Sequence, residues 1–400
     1  MEKLECIFCK KKYPLDVFSL FCSDCGEPLL VSGLKKKRAF YFKEESAVRI
    51  FKDFLPLSKI EARCGLGEGD TPLTPLFRLR QKFNLPSLYA KNETVNPTAS
   101  FKDRGSVVAV QKAISLGVKK IGTISTGNMA GSTAAYAAKA GLKSFIFVKE
   151  DTSKEKILSA AIYGPVLIKV KGDYGLLFRK SFEIGRKHGI YFMNSVDPFR
   201  IEGYKVTGFE IFFQLDARLP QYIFVPVSAG GHLIGLMRAF LDLRQEGLIK
   251  ELPTFVAVQA RGCSPLARAF AQGKTKFARF PNPYTIAHAI SNPNPPGGNI
   301  VLKMIRENQG LIISVSDTEI MRAQKLLAEA EGIFCDPASA TTLAGLLQLS
   351  KKDKFKNRDK IVLIITGSGL KTVEDSSAAK IHYHNVSLKR LEKKMENVLF

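Results

Sequence analysis

The segment Asn96-Pro-Thr-Ala-Ser-Phe-Lys102-Asp-Arg-Gly105 organises the rest of the chain. It follows a strand-like run, Leu88 to Thr94, and by itself describes a lysine at a helix start. Downstream, short β-rich runs alternate with amphipathic stretches, a rhythm that predicts parallel sheets flanked by helices. Strands are expected at Lys120 to Ser125, Ser144 to Val148, Val166 to Val170, Tyr191 to Asn194, Tyr222 to Val227, Thr254 to Gln259 and Ile361 to Thr366. Helices are expected at Ser132 to Ala140, Lys154 to Tyr163, Leu176 to His188, Tyr204 to Leu215, Leu233 to Gln245, Thr318 to Glu331 and Ala340 to Leu349. The proline-rich span from Lys274 to Gly298 reads as a long loop of the kind that covers a site.

In open α/β sheets, ligands bind beyond the carboxyl ends of the strands, where loops enter helices. Three loops have that placement: Ser125-Thr-Gly-Asn-Met-Ala-Gly131, Ser228-Ala-Gly-Gly-His232 and Ile365-Thr-Gly-Ser-Gly-Leu-Lys371. Glycine lets backbone N–H groups approach an anion, and a helix start adds a favourable field, so the second loop suits a phosphate. Each loop alone would also serve as a routine packing turn.

Asn-Pro-Thr-x-Ser-Phe-Lys-Asp-Arg-Gly resembles the cofactor-lysine motif of threonine synthases, members of the fold type II pyridoxal-phosphate enzymes. The likeness covers about Gly67 to Leu370 and includes Glu202-Gly-Tyr-Lys, Val258-Gln-Ala-Arg-Gly-Cys and Glu331-Gly-Ile-Phe-Cys-Asp-Pro-Ala-Ser-Ala340. It implies a tryptophan synthase β-like α/β fold of two three-layer α/β/α domains with open, parallel-rich sheets. Residues 35–100 and 201–400 would form the large cofactor domain, and 101–200 the small one. The implied reaction is γ-elimination of phosphate from O-phospho-L-homoserine and addition of water at Cβ, giving L-threonine. A β-replacement on phosphoserine like that of cysteate synthase, or a serine/threonine dehydratase, is the alternative within the class. One methylene separates the two phosphorylated substrates, worth only ~1–3 kcal/mol of discrimination.

The resemblance assigns roles residue by residue. Lys102 would hold pyridoxal 5′-phosphate through an imine and shuttle protons, because a lysine loses its proton readily when buried near positive charge. Arg104 is the expected neighbouring cation. Asn128 would bond the cofactor's 3′-oxygen, with a helix N-cap as its bland role. Ser228, Ala229, Gly230, Gly231 and His232 would hold the phosphate, although the first and last depart from the family's usual glycine and asparagine. Thr366 would face the pyridine nitrogen, a gentler arrangement than a carboxylate. Ser125, Thr126, Gly127, Asn128 and Met129 would receive the substrate carboxylate, and Asn194, Ser195 and Arg200 its phosphate. Met129 and Ala229 stand where some relatives carry polar groups. The family also implies a homodimer.

The first 34 residues read separately. Cys6-Ile-Phe-Cys9 and Cys22-Ser-Asp-Cys25 form two CxxC knuckles, spaced to place four thiolates around one zinc ion in a ribbon. A disulfide pair is the competing account, disfavoured in a reducing compartment. Cys64, Cys263 and Cys335 read as buried apolar residues. Hydrophobic residues at 45% and charged residues at 24% are ordinary globular usage, and 400 residues exceed what one core fills. No apolar run is long enough to span a bilayer, and the N-terminus lacks a secretory pattern, so a cytoplasmic enzyme is expected. The net charge of +23 suits an anionic amino-acid substrate. The basic residues are dispersed, with local clusters at Lys10 to Lys12, Lys35 to Arg38, Lys351 to Lys360 and Lys389 to Lys394; Phe8, Phe18 and Phe21 near the first make a zinc-ribbon nucleic-acid-binding protein a rival from another class, but a structural ribbon docked on the enzyme is the better expectation. Five histidines without ligand spacing give a metalloenzyme or hydrolytic triad no support; His382 and His384 read as an exposed strand pattern.

Overall fold

The apolar runs sort into sheets according to whether one face or both are covered. A computed structural model describes residues 2–34, 40, 42, 46–152, 154–172, 174–352 and 354–371. His382, His384, the cluster Lys389 to Lys394 and the cluster Lys35 to Arg38 lie outside them. Among the described residues the strands form three sheets.

The first is small and antiparallel: β1 (Lys3–Cys6) lies between β2 (Lys12–Tyr13) and β3 (Leu29–Ser32). The six-stranded sheet has β4 (Leu73–Pro75), β5 (Ser87–Asn92), β10 (Tyr222–Pro226), β11 (Thr254–Ala260), β12 (Leu311–Val315) and β13 (Lys360–Ile365), in the order β12-β11-β10-β13-β5-β4. Its pairs are parallel except β4 with β5. The inner strands are near-continuous Val, Ile, Leu and Phe because helices cover both faces. The four-stranded sheet, all parallel, runs β8-β7-β6-β9, from β6 (Lys120–Ile124), β7 (Lys143–Lys149), β8 (Val166–Val170) and β9 (Ile190–Phe192).

Short helices α1 (Ala47–Ile50) and α2 (Phe77–Lys82) precede α3 (Lys102–Ser115), which starts inside the Asn96–Gly105 segment. Then come α4 (Asn128–Ala140), α5 (Lys154–Ala161), α6 (Tyr174–His188), α7 (Pro198–Gln214) and α8 (Gly231–Gln245). The last four are α9 (Pro265–Ala271), α10 (Gly298–Glu307), α11 (Asp317–Glu331) and α12 (Pro337–Ser350). Local chemistry sets several starts. Asp197 caps α7 by accepting from the Phe199 and Arg200 N–H groups, with Pro198 in the first turn. Asp336 and Pro337 do the same for α12, and Ser316 with Glu319 forms a capping box on α11. Gly203 lets α7 cross α3 closely, since a Cβ there would collide with the Arg104 carbonyl oxygen.

The cysteine-bearing sheet is docked rather than free. Arg238 of α8 donates to the Val31 carbonyl at 2.7 Å, and Asn299 of α10 donates to Glu27 at 2.6 Å. Phe21 packs edge-on against Phe178 and Phe182 of α6. The unit therefore touches helices from both larger sheets, and Phe21 is used in packing.

Candidate active site

Lys102 is the first residue of α3, reached through Ala99, whose φ of +54° is unusual for a side chain other than glycine. The turn is held by the last loop of the large sheet. The Phe101 N–H donates to the Thr366 carbonyl at 2.9 Å, the Ser368 N–H to the Ala99 carbonyl at 3.0 Å, and Ser100 bridges Gly367. The carboxyl end of β13 thus meets the start of α3, where a parallel sheet offers a ligand site.

Lys102 is partly accessible at its own surface but set deep among protein atoms. Burial first, and the Arg200 cation after it, bring its pKa down to about 7, with the Asp336 carboxylate opposing both. Arg104, the cation expected from the sequence, is turned away into a buried cluster with Glu93 and Glu210. Arg200 takes its place from α7, donating to the Lys102 carbonyl at 3.2 Å, to Ser106 Oγ at 3.1 Å and to the Tyr204 hydroxyl at 3.3 Å. Its guanidinium is fully buried under the first turn of α3 and engaged with protein groups, so its position makes it a tuning charge for Lys102. Replacing Arg200 with Met should raise the Lys102 pKa by about one unit or more, measurable as an upward shift in the pH at which its amine becomes reactive.

The second glycine loop stands beside this lysine. Phe101 stacks on His232 with ring centroids 3.9 Å apart, and Lys102 Nζ lies 4.2 Å from the Phe101 ring centre. Gly230 has φ +101°, a left-handed conformation that places the α8 N–H groups at the end of β10. A Cβ on Gly231 would strike the Ser195 carbonyl oxygen, which ties the loop to the segment containing Asn194. The Gly297 N–H donates to the Ala229 carbonyl at 2.9 Å, so the end of the proline-rich loop packs on the same turn.

Asn194 accepts from Thr123 Oγ1 and the Ile124 N–H, both at 3.0 Å, while its Nδ2 is buried without a protein partner. Both ring nitrogens of His232 are likewise unpartnered, and burial with nearby Lys102 holds this imidazole well below its ordinary pKa. Such orphaned groups are rare in folded proteins and call for an explanation. Ser125, Thr126 and Ser228 are half-buried, Gly127 is exposed with open space at its Cα, and Met129 is buried. Gly127, not Asn128, caps α4, so the Asn128 side chain is free of the capping role.

Thr366 Oγ1 pairs with Ser339 Oγ at 2.8 Å, and Ser339 bonds Asp336 Oδ1 at 2.6 Å. Burial pushes the Asp336 carboxyl up to about 6 against the pull of its Ser339 hydrogen bonds and of Lys371 and Lys102. Asp336, Ser339 and Lys371 sit inside quoted motifs but received no role from the sequence. An Asp-Pro helix start at 336–337 was the available signal.

At the far end, the Sγ atoms of Cys6, Cys9, Cys22 and Cys25 all lie within 4.8 Å of one another, with Cys9 and Cys22 at 3.5 Å. Neither pair is a disulfide, and Cys64, Cys263 and Cys335 are buried free thiols.

Comparison with known proteins places this geometry. A family model described as pyridoxal-phosphate dependent enzyme matches residues 65–367. A protein named threonine synthase from Methanocaldococcus jannaschii is 37% identical over 373 residues, 92% of each chain. One of the same name from Methanosarcina acetivorans is 35% identical over 93% of this chain and 92% of its own. Among solved structures, a serine racemase from Dictyostelium discoideum aligns at a TM-score of 0.64 and 26% identity, covering 75% of this chain and 92% of that one. Diaminopropionate ammonia lyase from Escherichia coli reaches a TM-score of 0.66 at 17% identity over 78% and 88%, which speaks to fold alone.

Proposed function

Because this chain belongs to the pyridoxal-phosphate dependent enzyme family, we propose that Lys102 is the residue that holds the cofactor in a threonine synthase reaction. The substrate would be O-phospho-L-homoserine, and the products L-threonine and phosphate. Proteins named threonine synthase at 33–37% identity, aligned over about four-fifths of the chain or more, support this activity. The observation that carries the site assignment is an amine with a pKa of about 7 beside the glycine turn at 230–231.

The residues present fit the cofactor. An aldehyde condenses only with a neutral amine, and near pH 7 about half of the Lys102 amines are neutral. The phosphate would rest on the backbone N–H groups of Gly230 to His232 at the start of α8, where the left-handed turn and the crowded Gly231 leave no room for a side chain. The buried, unpartnered imidazole of His232, neutral and so with one N–H to give, offers a hydrogen bond to an anion at the same end. Thr366, fixed by Ser339, would face the ring nitrogen, and Asn128 the 3′-oxygen. When bound, the cofactor supplies an electron sink for charge developing at the substrate's Cα and Cβ.

This chain's residues do the rest. The N–H groups at Gly127 to Met129 open α4 and would receive the substrate carboxylate. Asn194 and Ser195 would hold its phosphate, with the buried Arg200 cation adding favourable field from beneath. The free amine of Lys102 would remove the Cα proton and then help move a proton from Cβ to Cγ as the Cγ–O bond to phosphate breaks. Water would then add its hydroxyl at Cβ while its remaining proton goes to the released phosphate, and Lys102 would return a proton to Cα. A group with pKa near the working pH is suited to these transfers. Incubating the holoenzyme with O-phospho-L-homoserine, phosphoserine, serine and threonine in parallel tests the substrate. Threonine and phosphate in equal amounts are expected from the first; turnover of phosphoserine alone would overturn the reading. The rate of cofactor attachment should fall about tenfold for each pH unit below about 6, as the ammonium form of Lys102 accumulates.

The four thiols fit zinc. Tetrahedral Zn–S bonds of about 2.3 Å require sulfur separations of about 3.8 Å, close to the spacing here. We infer a structural ion that ties the knuckles and, through Glu27 and Val31, the docked sheet. Metal analysis should find about one zinc per chain, with Cys22→Ser lowering both that ratio and the melting temperature. A metal-free protein of unchanged stability would remove the role. The homodimer implied by the family is checked by light scattering.

A further inference from the structure

The Asn128 amide has a neighbour that the reaction has not yet used. Lys371, at the end of the short 3-10 helix Gly369–Lys371, places Nζ 3.1 Å from Asn128 Oδ1 and also donates to the Thr98 carbonyl. An ammonium carries three donors and no acceptor, so the amide atom that faces it must be the oxygen. Which way round an asparagine amide lies is decided by such partners, and here a donor-only partner decides it. The nitrogen, Nδ2, is consequently turned toward Gly367, where a Cβ on that glycine would stand 3.1 Å from it. Gly367 follows Thr366 and lies against the turn that carries Lys102.

We propose that Lys371 is a positioning residue that orients Asn128 so that its amide N–H donates to the 3′-oxygen of the bound cofactor, and that the lysine charge strengthens the donation. This rests on the reading of Asn128 given above. A cation on the amide oxygen polarises the amide and makes its N–H a better donor, favouring an ionised oxygen opposite. The second bond, to Thr98 in the segment before Lys102, keeps the ammonium from swinging away. Other charged groups at this corner are Asp103 from α3 and Asp336 from the start of α12, both of which act on Lys371, and Lys102, which acts on Asp336. Burial lowers the Lys371 pKa, while those two carboxylates oppose the shift and favour the ammonium.

The test titrates the visible absorption band of the bound cofactor in purified holoenzyme. Stabilising the ionised 3′-oxygen lowers the pH of the band's transition, so Lys371→Met should raise the midpoint by about one unit or more. Lys371→Arg, which restores a donor-only cation, should return it most of the way. In an Asn128→Ser background, Lys371→Met should shift the midpoint little further, because the lysine acts through the amide. Lys371→Gln serves the same comparison if the methionine variant does not fold. An unchanged midpoint in Lys371→Met or Lys371→Gln, with borohydride still fixing the cofactor on Lys102, would overturn the positioning role and leave the cofactor site intact. Failure of borohydride to fix cofactor on Lys102 in the unsubstituted protein would overturn both.

Discussion

Lys102→Ala should lower threonine formation from O-phospho-L-homoserine by at least about 1,000-fold without changing the circular dichroism spectrum. Two losses combine. The alanine variant has no amine to hold the cofactor, and no group of suitable pKa to carry protons among Cα, Cβ and Cγ. Folding should survive because Lys102 occupies the first position of α3, where its side chain makes no hydrogen bond that closes the helix, and because the turn is held by backbone bonds to Thr366 and Ser368. A variant that kept a tenth of the activity would remove Lys102 from the chemistry. Adding a small primary amine should restore some turnover, since it replaces the proton carrier; the same addition should do nothing for a merely unfolded protein.

The largest effect on stability is expected at Arg104. Its guanidinium donates to Glu93 at 2.5 and 2.8 Å and to Glu210 at 2.7 and 2.6 Å, and Lys91 completes the cluster at 2.6 Å from Glu210. All four side chains are buried, two of each sign. Arg104→Met keeps most of the volume but leaves Glu93 without its cation and Glu210 with Lys91 alone. Breaking a buried ion pair in this way costs about 3–5 kcal/mol, measurable by urea unfolding. A loss below about 1 kcal/mol would show the cluster to be dispensable. The pH dependence has a definite sign. Burial alone would raise the Glu210 pKa, but Arg104 and Lys91 overcome it and hold the carboxyl down to about 2. Its contribution is therefore complete above the ordinary carboxylate range and is lost as pH falls from that range toward 2. In Arg104→Met the folded pKa of Glu210 rises, so its contribution should be smaller and its loss complete at a higher pH.

The comparison of Arg104 with Arg200 shows where chain order misleads. Arg104 is two residues from Lys102, but positions i and i+2 point to different sides of a helix, and it serves the core instead. Arg200 comes from a different helix, 98 residues on. Asp336, Ser339 and Lys371 are of the same kind. Ser339 meets Thr366 across 27 residues, and Lys371 meets Asn128 across 243, distances at which no spacing rule operates.

What was legible followed burial. Buried strands of the parallel sheets announce themselves as apolar runs, as Thr254 to Gln259 does for β11; Val166 to Val170 matches β8 to the residue on its β-branched composition, although it is an exposed edge strand. Helices were found but begun late. Those starting at Asn128, Pro198, Gly231 and Pro337 were expected at Ser132, Tyr204, Leu233 and Ala340. Their first turns are composed for caps, close approach or a ligand rather than for one buried face, so the amphipathic pattern starts a turn later. The short run Leu311–Val315 escapes notice because five residues, four of them apolar, have no readable period between helices, and α10 because it opens on the last glycines of the proline-rich loop.

The most direct test of the central claim is to reduce the cofactor-loaded protein with borohydride, digest it and map the added mass. The pyridoxyl group should be found on Lys102 alone, with the extent of labelling falling as pH drops below about 7. Label on another lysine, or none with cofactor in excess, would contradict it.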